Sequence, residues 1–427
     1  MFKIAIAGLG TVGAGTLQLL HECVESIARA AGRALTVTAV SARDRRKDRG
    51  VPLLGEWFGD PVEMARRADA DAVVELIGGA DGVAHEVVAA AIAAGRHVVT
   101  ANKALIAHHG ITLARAAEER GVCLAFEAAV AGGIPIIRTL REGLASSRIV
   151  RLAGILNGTT NFILTRMRAR GCTFAEALAE AQRLGYAEAD PSFDVDGIDA
   201  KHKLAILAAL AFGTPVDLDG VHVEGVRHLS PLDIRYAEEL GHRIKLLATA
   251  QVTDAGLAQR VQPCMVPAAS PIAQIEGVLN AVAITGDPVG TITLEGRGAG
   301  AGPTASAVVA DLIDLARGHR TPAFGVPAAA LRSLPVVPVE DDVGEYYLRL
   351  MVADQPGALR DVAAALAAQG ASVASAIQRD RNADETVPLV LTTHATREGA
   401  MRRALEMVAL LPSVREVCRI RIERQVT

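Results

Sequence analysis

Apolar and polar positions follow two alternating patterns up to about residue 126. Short, continuous apolar runs alternate with Ala-rich segments of helical period, such as Val83–Ala94 and Leu105–Arg120. Apolar runs without alternation are typical of strands buried on both faces, so this order predicts a doubly wound parallel sheet covered by helices. The predicted strands are Lys3–Ala7, Leu35–Val40, Ala72–Leu76, His97–Thr100 and Val122–Phe126.

The pattern changes in residues 133–299, where helical periods mix with alternating strands. This mixture predicts an α+β layer on a mixed or antiparallel sheet. The predicted helices are Ile134–Glu142, Thr173–Leu184 and Gly197–Phe212, and the predicted strands are Arg148–Leu156, Arg243–Val252, Ala281–Gly286 and Thr291–Glu295. A Gly-rich segment then opens another helix near Thr304.

Residues 344–427 carry a third pattern, with the predicted order β-α-β-β-α-β. That order is typical of a ferredoxin-like unit. The predicted elements are Tyr346–Ala353, Ala358–Gln369, Ser372–Arg379, Thr386–Thr393, Arg397–Leu410 and Val414–Ile422. The Pro-rich residues 323–343 in front of them are predicted to be a linker.

Composition narrows the class of protein. With 50% hydrophobic and 22% charged residues, the chain is typical of a soluble globular enzyme, and its net charge of −4 makes nucleic acid an unexpected partner. Five cysteines without CxxC spacing predict reduced thiols. The first strand begins at once, without a signal peptide, and no long uncharged apolar run is present, so we expect a cytoplasmic protein that does not contact a membrane.

A glycine-rich turn follows the first predicted strand. Gly8, Gly10 and Gly13 form a GxGxxG between strand and helix, where the first permits the turn, the second admits a pyrophosphate and the third allows close helix packing. Backbone N–H groups at Thr11 and Val12 begin the helix and favour phosphate. A bound dinucleotide is therefore predicted, and a Gly-rich turn without a ligand is the simpler alternative.

The second predicted strand ends beside a cationic segment, Arg43–Lys47, where NAD-binding proteins usually carry an acidic residue. Arg43 is the best placed to bind the 2′-phosphate of NADP. A solvated basic turn is the alternative, and Asp44 leaves NAD possible.

Two further segments concentrate polar groups. Thr100 and Lys103 stand at the end of the fourth predicted strand, where ligands of doubly wound sheets bind, so both are predicted to contact the cofactor. In the second segment, Ala181–Lys203, Asp199 and Lys203 are four residues apart on one helix face. Carbonyl reduction by hydride needs a cation near the developing alkoxide and a proton donor, and a lysine held by a carboxylate supplies both. Ordinary ion pairs and helix caps are the alternative.

These motifs resemble the homoserine dehydrogenase family. The stretch Ala181–Lys203 is similar to the family signature, and GLGTVG, TANKALIA, FEAAVAGGIP and GILNGTTNFIL occur in the family's order and spacing. The resemblance implies reversible NAD(P)H-dependent reduction of L-aspartate 4-semialdehyde to L-homoserine, in the biosynthesis of threonine, methionine and isoleucine.

The resemblance also implies roles by position. Lys203 matches the proton donor or acceptor, Lys103 a lysine near cofactor and substrate, Glu188 the substrate-binding glutamate, and Asp194 and Asp199 carboxylates of the same pocket. Family members bind a monovalent cation, usually Na⁺, and the matching positions are Glu127, Val130, Gly132 and Ile134. The Gly-rich segment at Gly302 is implied to close over the cofactor.

The end of the chain resembles an ACT domain. Asp354-Gln355-Pro356-Gly357 stands between a strand and a helix, so the helix N–H groups can meet a ligand carboxylate and Asp354 an amino group. The implied effector is L-threonine, and a homodimer or homotetramer is expected because ACT domains often pair. A module that only dimerises is the alternative.

Together these observations predict three domains. Residues 1–132, with 300–322 returning, form a Rossmann-type NAD(P)-binding domain. Residues 133–299 form a catalytic and dimerisation domain, and residues 344–427 form a regulatory ACT domain after the linker at 323–343. Three rivals remain: a thioester-forming semialdehyde dehydrogenase, for which no cysteine stands in a suitable motif, another amino-acid dehydrogenase of this fold, and a non-catalytic sensor.

Overall fold

The structure is a computed structural model that describes residues 1–379 and 386–424. Its first part alternates strands and helices as predicted. These elements are β1 (Phe2–Ala7), α1 (Thr11–Glu22), α2 (Val24–Ala31), β2 (Leu35–Ser41), β3 (Glu56–Phe58), α3 (Pro61–Arg67), β4 (Ala72–Glu75), α4 (Val83–Ala93), β5 (His97–Thr100), α5 (Lys103–Glu119) and β6 (Leu124–Ala125).

The middle part mixes helices with long strands. Its elements are α6 (Ile136–Arg138), β7 (Arg148–Ile155), α7 (Gly158–Arg170), α8 (Phe174–Arg183), α9 (Ser192–Val195), α10 (Ile198–Phe212), β8 (Val221–Val223), α11 (Pro231–Glu239), β9 (His242–Thr253), β10 (Gly256–Pro267), β11 (Leu279–Asp287), β12 (Gly290–Arg297) and α12 (Ala301–Arg317). The predicted helix Ile134–Glu142 begins two residues later than predicted, and its second half, Thr139–Gly143, is a π-helical turn that continues directly from α6.

The last part has the predicted ferredoxin-like order, so the predicted fold class is confirmed, with one further two-residue strand. The elements are β13 (Val343–Ala353), α13 (Ala358–Ala368), β14 (Val373–Ile377), β15 (Thr386–Thr393), β16 (Thr396–Arg397), α14 (Glu398–Ala409) and β17 (Val414–Ile422). The predicted strand Ser372–Arg379 is shorter at both ends.

The residues pack into two compact units. The first contains residues 1–158, 199–221 and 278–334, and the second contains residues 159–198, 222–277 and 335–427. The limits of the three domains and of the linker that the sequence predicts stay a prediction. Among the described residues, no helix has the length and apolar character needed to cross a lipid bilayer.

The first unit is built on a six-stranded parallel sheet with the order β3-β2-β1-β4-β5-β6. The order reverses between β1 and β4, and in such sheets a ligand binds at the carboxyl ends of the strands beside the reversal. The strands are buried on both faces, with Ile4, Ile6 and Val74 fully shielded from water. The unit also contains an antiparallel set in which β11 pairs with both β7 and β12.

The second unit joins the ferredoxin-like strands to the preceding hairpin. β10 pairs with β9 antiparallel and with β17 parallel, and β17, β13, β15 and β14 continue the sheet. Helix α11 packs on β9, and its N-terminus has a capping box in which Asp233 and Ser230 bond each other's backbone N–H groups. Arg349 of β13 binds the same Asp233 carboxylate with two hydrogen bonds of 2.7 and 3.2 Å.

Candidate active site

The turn after β1 has the conformation that its glycines predict. Gly8 has φ +97°, and a Cβ at Gly13 would lie 2.1 Å from the Gly8 carbonyl oxygen, so neither position accepts a side chain without rearrangement. A Cβ at Gly10 would meet no atom within 4 Å. The exposed Gly10 therefore leaves open space at the N-terminus of α1, which fits the approach of a pyrophosphate.

The loop after β2 is tied to this turn by a residue that the sequence reasoning missed. Arg49 donates to the Leu9 carbonyl oxygen over 3.1 Å, and to the carbonyls of Lys47 and Asp44. Arg43 is exposed on the same loop. Arg49 thus holds a cationic loop beside the glycine-rich turn; only the excess of basic residues in this segment could have indicated it.

The carboxyl ends of β4 and β5 are joined by a buried network. Glu75, at the end of β4, is fully buried and accepts the Thr100 hydroxyl over 2.6 Å and two backbone N–H groups, from Ile77 and Gly78. Thr100 also accepts the backbone N–H of Asn102 over 3.0 Å. The Thr100 hydroxyl is therefore occupied within the protein, and its predicted contact with a cofactor stays a prediction. Glu75 was missed because a buried carboxylate gives no local sequence signal.

Lys103 begins α5, where its position is fixed by a helix cap. The Asn102 side chain accepts the Leu105 backbone N–H over 3.1 Å and donates to the Gly79 carbonyl over 2.6 Å. Asn102 is therefore the N-cap residue, and Lys103 is the first residue of the helix. The Lys103 ammonium lies 3.1 Å from one oxygen of Asp199.

Lys203 approaches the other oxygen of the same carboxylate. The two residues stand one turn apart on α10, and the Lys203 Nζ donates to Asp199 Oδ2 over 2.6 Å, as their i,i+4 spacing predicts. The same ammonium donates to the Leu156 carbonyl oxygen over 2.8 Å, and Asn157 donates to Asp199 over 2.9 Å. The structure therefore brings Lys103 and Lys203, which are far apart in the sequence, to one buried carboxylate.

The charge of this carboxylate is fixed by its partners. Burial alone would raise the pKa of Asp199, but the charges of Lys203 and Lys103 and the hydrogen bonds from Lys203 and Asn157 outweigh it and hold the pKa well below its usual range. His202, the neighbour of Lys203, has its pKa lowered to about 4, chiefly by burial. Its ring lies edge-on to that of His108, with centroids 5.4 Å apart. At neutral pH, Asp199 is thus an anion and His202 is neutral.

Glu188 and Asp194 belong to the second unit. Glu188 is exposed in the segment between α8 and α9, where Gln182 donates to its carbonyl oxygen over 3.0 Å. Thr159 of α7 donates to the carbonyl of Tyr186 in the same segment over 2.7 Å. Asp194 is half-buried within α9. The Glu188 carboxylate is therefore accessible to a ligand, on a segment whose backbone is held from two sides.

The loop predicted to bind a cation follows β6. The buried carboxylate of Glu127 accepts the backbone N–H groups of Ile137 and Arg138 over 2.9 and 2.8 Å. Among residues 1–379 and 386–424, no group of three or more His, Cys, Asp or Glu side chains is arranged to hold a metal ion. A site here would use one carboxylate with backbone carbonyls, a donor set that suits a hard cation such as Na⁺.

The backbone of this loop turns sharply. Ala131 has φ +49°, the left-handed conformation, and the Val130, Gly132 and Ile134 around it are buried. The Glu127 carboxylate keeps lone pairs beyond its two backbone bonds, since an ionised carboxylate has about four acceptor positions. The predicted ligands are thus compatible with a cation at this turn.

A second buried carboxylate stands beside Glu127. Asp311 accepts the Glu127 backbone N–H over 2.9 Å. Burial and then the neighbouring Glu127 raise the pKa of Asp311 to about 7. Burial also raises the pKa of Glu127, against the two backbone hydrogen bonds. Two close carboxylates in a buried position repel each other unless a cation or a proton is present, and the Arg138 guanidinium lies 3.8 Å from Asp311.

Helix α12 returns to the first sheet at α1. A Cβ at Gly15 of α1 would lie 3.1 Å from the carbonyl oxygen of Ala301, the first residue of α12, so a glycine allows the two helices to approach. Gly302 has open space at its Cα, with no atom within 4 Å of an added Cβ. The N-terminal turn of α12 therefore stands beside α1, and Gly302 faces free volume.

The predicted effector loop has the expected local shape. Gly357 has φ +96° and directly precedes α13, as a turn into a helix requires. Asp354 is half-buried at the end of β13. No side chain caps the α13 N-terminus by a hydrogen bond, and the Ala358 backbone N–H donates to the Gln355 carbonyl oxygen over 3.3 Å.

Comparisons with known proteins agree over the whole chain. Family models match three segments: "Homoserine dehydrogenase, NAD binding domain" at residues 8–127, "Homoserine dehydrogenase" at residues 135–313, and "ACT domain" at residues 346–407. A homoserine dehydrogenase of Pseudomonas aeruginosa is 47% identical over 433 residues, which cover 99% of each chain.

Solved structures agree as well. A homoserine dehydrogenase from Thiobacillus denitrificans matches with a TM-score of 0.92 and 45% identity, covering 99% of this chain and 98% of that one. A hyperthermophilic archaeal homoserine dehydrogenase in complex with NADPH matches with a TM-score of 0.63 and 29% identity, covering 78% of this chain and 99% of that one.

Proposed function

The chain belongs to the homoserine dehydrogenase family, and from this premise we propose that Lys203 is the proton donor in the reduction of L-aspartate 4-semialdehyde to L-homoserine. The protein is an NAD(P)-dependent oxidoreductase with a C-terminal ACT domain. A bound nicotinamide dinucleotide supplies the hydride. The observation that carries the proposal is the buried Asp199 carboxylate with one lysine at each oxygen.

Each lysine has a separate part in this proposal. When hydride adds to the aldehyde carbon, negative charge grows on the carbonyl oxygen and requires a donor in place. Lys203, buried against Asp199 and the Leu156 carbonyl, gives its proton to that oxygen. The half-exposed Lys103 ammonium, 3.1 Å from Asp199, stabilises the growing charge. Asp199 keeps the two ammonium groups together and is a positioning residue.

The substrate is selected by charge. We propose that the exposed Glu188 carboxylate binds the α-ammonium group of the amino-acid substrate, and that Asp194 assists it. Glu188→Gln would keep the size and remove the charge. We expect this variant to raise the KM for homoserine roughly tenfold or more, with an unchanged affinity for the dinucleotide. An equal loss of dinucleotide affinity would contradict the assignment.

The dinucleotide is proposed to be NADP. Gly8, Gly10 and Gly13 form the pyrophosphate turn, and Arg43 is exposed beside it for a 2′-phosphate. The NADPH complex of the archaeal relative supports this preference. Arg43→Gln should weaken NADPH binding and leave NADH binding unchanged. Equal weakening of both would contradict the binding of a 2′-phosphate by Arg43.

A monovalent cation, Na⁺ by charge and donor set, is proposed at the loop after β6. Glu127 would supply the carboxylate, and Val130, Gly132 and Ile134 would supply carbonyl oxygens. The cation would order this loop. Thermal unfolding in NaCl against tetramethylammonium chloride at equal ionic strength tests the proposal. We expect Na⁺ to raise the Tm, and an equal Tm in both salts would overturn it.

Feedback inhibition by L-threonine is the regulatory proposal, with Asp354 binding its ammonium group and the N–H groups after Gly357 binding its carboxylate. A homodimer or homotetramer is proposed because ACT domains often pair. The central test is a spectrophotometric assay of homoserine oxidation with NADP⁺ and NAD⁺, with and without L-threonine. An inert protein that binds dinucleotide and threonine would support a sensor instead.

A further inference from the structure

Glu75 is a buried carboxylate that the proposed chemistry does not use. It ends β4, is fully shielded from water and lies directly opposite Thr100 at the end of β5. The structure gives it three hydrogen bonds, from the Ile77 and Gly78 backbone N–H groups over 2.7 and 3.0 Å and from the Thr100 hydroxyl over 2.6 Å. Glu75 accepts all three, which is the pattern of an ionised carboxylate.

The donors that bind this carboxylate are uncharged. Two are backbone N–H groups and the third is a hydroxyl, so each supplies a dipole rather than a full positive charge. A buried carboxylate is usually paired with a cation, because an unbalanced charge is costly away from water. Asp199, by contrast, has an ammonium group at each oxygen. Glu75 therefore keeps a negative charge that its hydrogen bonds stabilise but do not neutralise.

The loop that follows β4, residues 76–79, lies at the edge of the sheet where a dinucleotide is expected. A Cβ at Gly8 would lie 2.5 Å from the Leu76 carbonyl oxygen, so this loop packs directly against the glycine-rich turn after β1. Asn102, the N-cap residue of α5, donates to the Gly79 carbonyl oxygen over 2.6 Å. The loop anchored by the buried carboxylate therefore connects the pyrophosphate turn to the start of α5.

The order of the strands indicates which of them face the nicotinamide half of a dinucleotide. The glycine-rich turn for the pyrophosphate follows β1, and Arg43, proposed for the adenosine 2′-phosphate, follows β2. Strands β4 and β5 lie on the other side of β1. A dinucleotide that crosses the reversal between β1 and β4 therefore directs its nicotinamide toward the carboxyl ends of β4 and β5, where Glu75 and Thr100 lie.

The two proposed catalytic lysines bring an excess of positive charge to this edge. Lys103 begins the helix that follows β5, and it shares the single Asp199 carboxylate with Lys203, so two ammonium groups and one carboxylate leave one positive charge in excess. The oxidised nicotinamide ring is itself a cation, whereas the reduced ring is uncharged, so this excess disfavours the oxidised dinucleotide. One further carboxylate at the same edge offsets the excess.

We propose that the Glu75 carboxylate raises the affinity of this chain for the oxidised nicotinamide dinucleotide relative to the reduced one. Its charge acts on the ring through space, because its oxygens are already bound by the three uncharged donors. The proposal rests on the dinucleotide site proposed above, and it is independent of the roles proposed for Glu188, the cation loop and the effector loop.

Calorimetry of the full chain with NADP⁺ and with NADPH tests the proposal. Glu75→Gln keeps the size of the side chain, and its amide oxygen can still accept the Ile77 and Gly78 N–H groups, but the charge is lost. We expect the Kd for NADP⁺ to rise roughly tenfold and the Kd for NADPH to change less than about twofold. Asp71→Asn is the matched control and should change neither, because the exposed Asp71 precedes the opposite end of β4 and accepts the Lys3 backbone N–H, which asparagine also accepts.

Two results for Glu75→Gln would overturn the proposal while leaving the dinucleotide site intact. An equal rise of both Kd values would show that Glu75 only shapes the loop at residues 76–79, and two unchanged Kd values would show that its charge does not reach the ring. Failure of the unsubstituted chain to bind either dinucleotide would overturn the site itself. Circular dichroism and thermal unfolding show whether Glu75→Gln is folded. If it is not, Glu75→Asp, which keeps the charge, decides: the ratio of its two Kd values should stay within about threefold of the parent ratio, and a rise of about tenfold would overturn the proposal.

Discussion

Replacement of Lys203 tests the proposed chemistry most directly. Lys203→Met keeps the length of the side chain and removes its ammonium group. General acid–base catalysis commonly contributes about 100- to 10,000-fold, so we expect kcat to fall by a factor in this range. The affinity for NADPH, measured by its fluorescence on binding, should change less than about twofold, because the glycine-rich turn after β1 is untouched.

The structural cost of this replacement can be derived from the contacts. Lys203 donates to Asp199 over 2.6 Å and to the Leu156 carbonyl over 2.8 Å. After the change, Asp199 keeps Lys103 at 3.1 Å and Asn157 at 2.9 Å. The carboxylate is therefore not left unpaired, and we expect about 1–3 kcal/mol of destabilisation rather than the larger loss of an isolated buried charge.

A conservative variant separates proton donation from charge. Lys203→Arg keeps a cation that can pair with Asp199, but a guanidinium does not release its proton near neutral pH. We expect Lys203→Arg to recover much of the stability and little of the turnover. Lys201→Met, on the same helix and only half-buried, is the matched control and should stay within about 0.5 kcal/mol of the parent stability.

The assay follows NADPH absorbance with homoserine as substrate, and urea unfolding measures stability. Turnover of Lys203→Arg within about threefold of the unsubstituted enzyme would refute proton donation by Lys203. An equal loss of turnover in Lys201→Met would show that the defect arises from general damage to α10.

Three further predictions concern other parts of the chain. Gly10→Ala should keep the Tm of the parent protein, because the added Cβ meets no protein atom. It should bind NADPH at least roughly tenfold more weakly, because that Cβ occupies the space proposed for the pyrophosphate. Gly13→Ala should lower the Tm, and equal Tm values in the two variants would contradict this. Arg349→Ala should cost about 3–5 kcal/mol in urea unfolding, because Asp233 loses its main charge partner within a fully buried position. Burial lowers the pKa of His97 in the folded protein to about 4. As the pH falls, the unfolded chain therefore takes up a proton on His97 at a higher pH than the folded chain does. Stability should therefore fall between about pH 6.5 and 4, by about 1 kcal/mol after allowance for its partial exposure, and His97→Asn should reduce that slope.

Local sequence determined the parts of this protein whose signals are short-range. The GxGxxG turn required glycine at Gly8 for its φ of +97° and at Gly13 for its approach to the Gly8 carbonyl oxygen, both within one strand, turn and helix, so its shape was predictable. The order of strands and helices in the ferredoxin-like residues 344–427 was predictable for the same reason, because segments of period two and segments of helical period alternate there. The pairing of Asp199 with Lys203 followed from helix geometry alone.

Tertiary structure decided what depends on distant partners. Strand β10 was missed because it is buried on both faces and still carries Gln259, Arg260 and Gln262, so it shows no alternation. Arg260 is tolerated there because Asp342 lies 2.8 Å away. Helix α7 was not predicted, because it begins with the polar residues Thr159, Thr160 and Asn161, which give no helical pattern of apolar positions.

Three other features also join residues that are far apart in the sequence. They are the contact of Lys103 with Asp199, the hydrogen bond between Thr100 and Glu75, and the Arg349–Asp233 ion pair. Buried charges are stable only when such partners meet them, and pattern along the chain does not report which partner the fold will supply.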